Sequence, residues 1–189
     1  SSSNNELTFT GLHDFLSNMP KSIYPHGKKY HYCSPNSDLL GWIIERSSGE
    51  KFSNIMSELL FKPAGINYEA SVTVDKLGAP RSAGGVSITP YDLLLISELV
   101  RKNGYNKNGQ IIPENWINDL KGYQDNSCYL NQDELKRFPN GNYRSKWYQT
   151  GFEDDEFCGI GIHGQNIWIN PKKELSIIRM SSASDPINI

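Results

Sequence analysis

Three cysteines in 189 residues, an odd number with no Cys-x-x-Cys pair, supply neither a disulfide framework nor a zinc knuckle. Cys33, Cys128 and Cys158 therefore point to a reducing setting, and a cytoplasmic location is the expectation. Charge of either sign is scarce in excess: 19 Lys and Arg against 21 Asp and Glu leave a net charge of −2. Without a basic surplus, neither a nucleic-acid partner nor a polybasic membrane anchor is expected. No apolar run approaches the roughly 20 residues of a membrane helix, so no span is expected. The four histidines, His13, His26, His31 and His163, show no metal-ligand spacing, so neither a metal nor another cofactor is anticipated. Internal repeats and low-complexity tracts are absent as well.

What is present is one domain's worth of sequence. A hydrophobic content of 37% in 189 residues is enough to build a core. The ends are unlike natural termini. Ser1 to Glu6 is polar, does not begin with Met, and has no apolar signal-peptide core. Ser184-Asp185-Pro186-Ile187 has the cap and proline of a helix start with no helix after it. A longer parent polypeptide is the expectation, with residues 1–189 forming a single incomplete domain.

Helices come first. Ser34 is placed to cap a helix over residues 35–47, with Pro35 at its first position and Gly49 past its end. Leu39, Leu40, Ile43 and Ile44 give it an apolar face. Phe52, Ile55, Met56, Leu59 and Leu60 repeat at helical spacing until Pro63 and Gly65. Thr89-Pro90-Tyr91-Asp92 is a helix start, with the helix running to Asn103-Gly104, and a shorter helix begins at Pro113. These apolar faces should be buried. Residues 121–142 are polar and give no periodicity. Strands are predicted over residues 146–150, 157–162, 165–170 and 175–180, the last two joined by a turn at Pro171-Lys172-Lys173-Glu174. Helices followed by an antiparallel meander make the fold class α+β.

Ser48-Gly49-Glu50-Lys51 has the Ser-x-x-Lys spacing of an activated nucleophile. Gly49 stops the helix between the two residues, so the tetrad is an inter-helix loop and is rejected as a catalytic pair. Tyr32, in Tyr32-Cys33-Ser34, precedes a helix N-terminus, where the positive end of the dipole favours phenolate. A phenol so placed can exchange a proton as a general base, although a packing role beside Tyr24 and Tyr30 is the competing interpretation. Gly159-Ile160-Gly161-Ile162-His163-Gly164-Gln165 puts three glycines on and after a strand. There a backbone N–H can serve an oxyanion, or the glycines simply form a hairpin turn.

Taken together, these segments resemble the serine β-lactamase and penicillin-binding superfamily. Tyr32-Cys33-Ser34 with Leu39-Leu40-Gly41 is similar to its second motif, a Tyr-x-Asn triplet before a Leu-Leu-Gly helix. Ser82-Ala83-Gly84-Gly85 is similar to the Ala-Gly-Gly segment, and Gly161-Ile162-His163-Gly164-Gln165 to the third-motif region at a sheet edge. The nearest subgroup is the 6-aminohexanoate-dimer hydrolases, and the likeness runs from about Leu7 to Ser182. Two departures stand out: Ser34 occupies the usual Asn position, and no Ser-x-x-Lys lies upstream of Tyr32. The chain resembles the C-terminal half of such an enzyme, without its N-terminal strands, nucleophile helix and final C-terminal helix.

The resemblance implies acyl transfer from a small amide or ester substrate. Tyr32 would shuttle the proton, Ser34 would lie beside the substrate, and a motif-three N–H would hold the oxyanion. If Gly159-Ile160-Gly161 fills the third-motif triplet, the donor is Ile162. If His163 heads the triplet, the donor lies further along. Ile162, following Gly161, is the favoured assignment. No Lys-Thr-Gly triplet is present, which weighs against a true β-lactamase or DD-peptidase. A non-catalytic binding protein that kept the fold is the third reading. Without its N-terminal strands and last helix, the sheet should leave Trp168, Ile177 or their neighbours bare, and self-association is expected.

Overall fold

The longest helix, α2 (Pro35–Ser48), starts with its proline and ends where Gly49 turns left-handed at φ 75. There the Gly49 N–H closes on the Glu45 carbonyl at 2.9 Å. The computed structural model describes residues 8–22, 24–122, 125–130, 138–152 and 154–184. The helix start expected at residues 184–187 lies mostly outside these described residues.

Two expectations for α2 fail. Ser34 is not a side-chain cap: its backbone is already helical (φ −56, ψ −42) and its side chain makes no capping bond. A cap needs an extended backbone to aim its hydroxyl at the first turn. Here the turn starts one residue early, with the Ser34 carbonyl taking the Ser37 N–H at 2.8 Å. Nor is the apolar face of α2 buried. Leu40 and Ile43 are 50% and 51% exposed, and Leu39 and Ile44 are exposed beside them. The buried residues are Asp38 and Gly41. Gly41 lies so close to Ser82 that a Cβ would sit 2.3 Å from its Oγ. That hydroxyl donates to the Ser37 carbonyl at 2.8 Å. A close polar contact, not the aliphatic stripe, decides which side of α2 faces inward.

A short helix before it, α1 (Leu12–Ser17), stacks His13 on Trp42 of α2 with centroids 4.2 Å apart. After α2, α3 (Phe52–Met56) widens into a π-helical turn at Ser57–Phe61 before α4 (Lys62–Ala64). The wider turn breaks the 3.6-residue register read from the sequence, and Leu59 is left exposed while Phe52 is buried. Strands β1 (Ser71–Val72) and β2 (Val86–Ser87) pair antiparallel. As expected, Thr89 caps the next helix, α5 (Pro90–Arg101), by accepting the Asp92 N–H. A small hairpin of β3 (Tyr105–Asn106) and β4 (Gly109–Gln110) leads to α6 (Glu114–Gly122). A turn of helix, α7 (Ser127–Leu130), falls in the stretch that lacked periodicity.

The meander is present in sequence order: β5 (Asn142–Arg144), β6 (Trp147–Gln149), β7 (Phe157–Ile160), β8 (Asn166–Asn170) and β9 (Leu175–Arg179). One face carries Phe157 opposite Ile169, packed on Val100, Ile117 and Leu120 from α5 and α6. Burial of such side chains contributes roughly 1.5–3 kcal/mol each and is what holds the helices to the sheet. The opposite face carries the paired row Tyr143, Tyr148, Cys158, Trp168 and Ile177. Cys158 is fully buried there, whereas Ile177, on the outer strand, is exposed as expected. Among the described residues no helix is long and apolar enough to cross a membrane.

Candidate active site

Tyr32 lies on the non-helical stretch that feeds α2, and the residue is 54% exposed. Its partner is Tyr143 on β5, edge-on at 6.2 Å between centroids. Tyr143 in turn meets Tyr30 at 5.1 Å and Tyr148 at 4.7 Å, again edge to face. Burial, with Tyr148 close by, pushes the Tyr143 phenol above its usual range, and burial does the same to Tyr30. These two phenols hold their protons. Ser34, exposed on the first turn of α2, keeps its hydroxyl out of any capping bond.

The first turn of α2 is clamped from behind. Asp38 is almost wholly buried, accepts the Ala83 N–H at 2.8 Å and faces the Arg81 guanidinium at 3.4 Å. So the Ser82-Ala83-Gly84-Gly85 segment fixes the helix that follows Tyr32. Gly85 itself has no room for a side chain, because a Cβ would lie 2.6 Å from the Arg81 carbonyl.

At the other end of the chain, β7 runs into a tight turn at Ile162–Gly164. The Gly161 N–H is taken by the Gln165 carbonyl at 2.8 Å. His163 adopts a left-handed backbone (φ 59), and its Nδ1 sits 2.9 Å from the Ala183 carbonyl. With Nδ1 assigned as the donor, the imidazole is tied back to residues 181–183. Gln165 fastens the same turn, bonding Ser181 through both ends of its amide. Ile162 is left 65% exposed. Among the described residues its N–H makes no hydrogen bond, whereas Gly161 on one side is engaged. The Gln165 N–H on the far side is likewise taken, by the Ile162 carbonyl at 3.3 Å, so the turn leaves the Ile162 N–H as a candidate backbone donor.

The Ser48 tetrad is no catalytic pair. Ser48 ends α2 and its Oγ donates to the Ile44 carbonyl at 2.8 Å, while Lys51 lies past the Gly49 turn in extended backbone. Among the described residues no group of three or more His, Cys, Asp or Glu could hold a metal. A cleft of about 270 Å³ is lined by Phe52, Met56, Phe61, Lys62, Tyr68 and Glu69 among others, and Tyr32 is not part of its lining.

A family model described as Beta-lactamase matches residues 9–188, a span that holds the phenol before a helix, the Ala-Gly-Gly clamp and the sheet-edge turn. The chain belongs to that family. A 6-aminohexanoate-dimer hydrolase of Paenarthrobacter ureafaciens is 32% identical over 158 residues, which is 84% of this chain and 40% of that protein. Two solved structures share the fold. A Bacillus anthracis protein provisionally assigned as a 6-aminohexanoate-dimer hydrolase superposes with a TM-score of 0.80 at 24% identity, covering 94% of this chain and 44% of its own. An octameric penicillin-binding protein homologue from Pyrococcus abyssi gives 0.67 at 17% identity, covering 98% and 47%. The chain thus spans less than half the length of these relatives. It has the partial β-lactamase-like fold and belongs with a family of hydrolases.

The sequence missed Tyr143. Its hairpin turns on Ser145-Lys146, both at positive φ (51 and 73). Such turns normally announce themselves with Asn or Gly, and neither residue is at the two turn positions.

Proposed function

We propose that this chain is part of a serine hydrolase that cleaves short linear amides or esters through an acyl-enzyme. Tyr32 shuttles the proton between the nucleophile and the leaving group, Ile162 supplies one N–H of the oxyanion hole, and Gly161, His163 and Ser34 shape the substrate's surroundings. The nucleophile is a Ser-x-x-Lys serine on residues outside 1–189, and the 189 residues form one incomplete domain with no hydrolytic activity of their own. The observation that carries this reading is the pair of unclaimed groups at the two motif positions. Tyr32 is exposed and, among the described residues, the Ile162 N–H is unbonded, while the Gly161 and Gln165 N–H groups of the same turn are engaged. The binding of His163 back to Ala183 supports Ile162 over a donor further along.

Relatives named as 6-aminohexanoate-dimer hydrolases favour linear amides as substrates over β-lactams, as does the absence of Lys-Thr-Gly. The octameric relative and the bare apolar face of α2 together support self-association.

The test is Tyr32→Phe in the polypeptide that joins this chain to its Ser-x-x-Lys segment. Its hydrolysis of a linear 6-aminohexanoate dimer and of a p-nitrophenyl ester should fall about 10²–10⁴-fold in kcat, with KM little changed. An unaltered kcat would make Tyr32 a packing residue and sink the mechanism.

A further inference from the structure

A proton shuttle works only when its oxygen is held within hydrogen-bond reach of the reacting atoms. Tyr32 is poorly provided for in this respect. It sits on non-helical backbone, it is more than half exposed, and its ring contact among the described residues is with Tyr143. Tyr143, by contrast, is fixed from several sides. Its backbone pairs with Tyr148 across the β5–β6 ladder, and its ring is wedged edge-on between Tyr30 and Tyr148. Its N–H donates to the Asn142 side chain at 2.8 Å, and that buried amide reaches across to the Asp125 carbonyl.

The same row continues over the sheet. Tyr148 pairs with Cys158 on β7, four residues before Ile162. Tyr32 is therefore braced, through two aromatic rings on one sheet face, against the strand that runs into the Ile162 turn. Because burial keeps the Tyr143 phenol protonated, it does not compete with Tyr32 as a base.

We propose that Tyr143 is a positioning residue, whose ring sets the place of the Tyr32 phenol relative to the oxyanion strand. This rests on the catalytic reading of Tyr32 given above. The contribution is the ring's, not the hydroxyl's, since it is ring edges that meet.

The test is a double-mutant cycle in the polypeptide carrying both this chain and the Ser-x-x-Lys segment, with kcat counted per active site by acyl-enzyme titration. Tyr143→Leu should lower kcat about 10–10²-fold with KM within about threefold, the loss expected for a misplacement near 1 Å. Tyr143→Phe should restore kcat to within about threefold of the parent. In the Tyr32→Phe background, Tyr143→Leu should cost almost nothing more, because the group it positions is gone.

Full additivity of the two losses, or an unchanged kcat per active site in Tyr143→Leu, overturns the proposal and leaves Tyr32's own role standing. A Tyr143→Leu variant that merely yields fewer active sites also overturns it, since that is loss of fold. Should Tyr32→Phe alone keep its kcat, the catalytic reading and this inference fall together.

Discussion

Tyr30, Tyr32 and Tyr143 are chemically identical side chains given different tasks by their surroundings. Tyr30 and Tyr143 sit in the aromatic cluster, where burial opposes ionisation, whereas Tyr32 faces solvent. The folded phenols of Tyr30 and Tyr143 ionise above the unfolded value near 10. Their contribution is fully present below about pH 10 and is lost as the pH rises beyond it, because only the unfolded chain then sheds those protons readily. Thermal melts of residues 1–189 should accordingly show a Tm that falls steeply above about pH 10, and Tyr30→Phe should flatten the fall. A pH-independent Tm in that range would show that neither phenol is held protonated by the fold. Tyr32 was legible in the sequence because its motif is local, three residues ahead of a helix. The place of Tyr143 beside it was not, because that contact depends on a cross-strand pairing and on a hairpin whose turn residues give no signal. Asp38 is a similar case. Nothing in Ser37-Asp38-Leu39 announces a carboxylate that caps a segment 45 residues away.

Helix α2 shows where periodicity misleads. The spacing of Leu39, Leu40, Ile43 and Ile44 correctly predicts a helix, since the pattern fixes the period. It wrongly predicts the inward face, because a stripe says only that the side chains prefer burial, not against what. Within 1–189 the inward face is set by Gly41 against Ser82 and by Asp38 against Ala83. Four large aliphatics on one exposed helical face form a patch of the kind that recruits a partner or a second copy. Replacing Leu40 and Ile43 by Glu should change stability by no more than about 0.5 kcal/mol each, as for other exposed sites. The same change should shift the chain toward monomer in sedimentation velocity. A loss of several kcal/mol in the double variant, or undiminished association, would show that this face is not the adhesive one. The expected helices are all present, whereas β5 falls outside the expected strands and the strand expected over 157–162 ends at Ile160, with Ile162 in the following turn. β8 and β9 fall within a residue of where alternation and the Pro171 turn put them, because a hairpin meander is specified by neighbours in sequence.

At the scale of the molecule, the chain has the partial fold of a family whose members compared above are more than twice its matched length. In the reading proposed above, Tyr32 before a helix start and Ile162 at a sheet-edge turn would supply a proton shuttle and an oxyanion donor to a serine outside residues 1–189. The two motifs were readable in sequence because each is a short run of residues. Their bracing by one aromatic row was not, since it is assembled from β5, β6 and the segment before α2. Labelling with a serine-directed fluorophosphonate, followed by peptide mass mapping, tests the central claim most directly, because the reagent reports an activated serine without knowledge of the substrate. Residues 1–189 alone should take up no label, and the polypeptide that joins them to a Ser-x-x-Lys segment should be labelled once, on that serine. Stoichiometric label on Ser48, or on any serine within residues 1–189, would contradict the account.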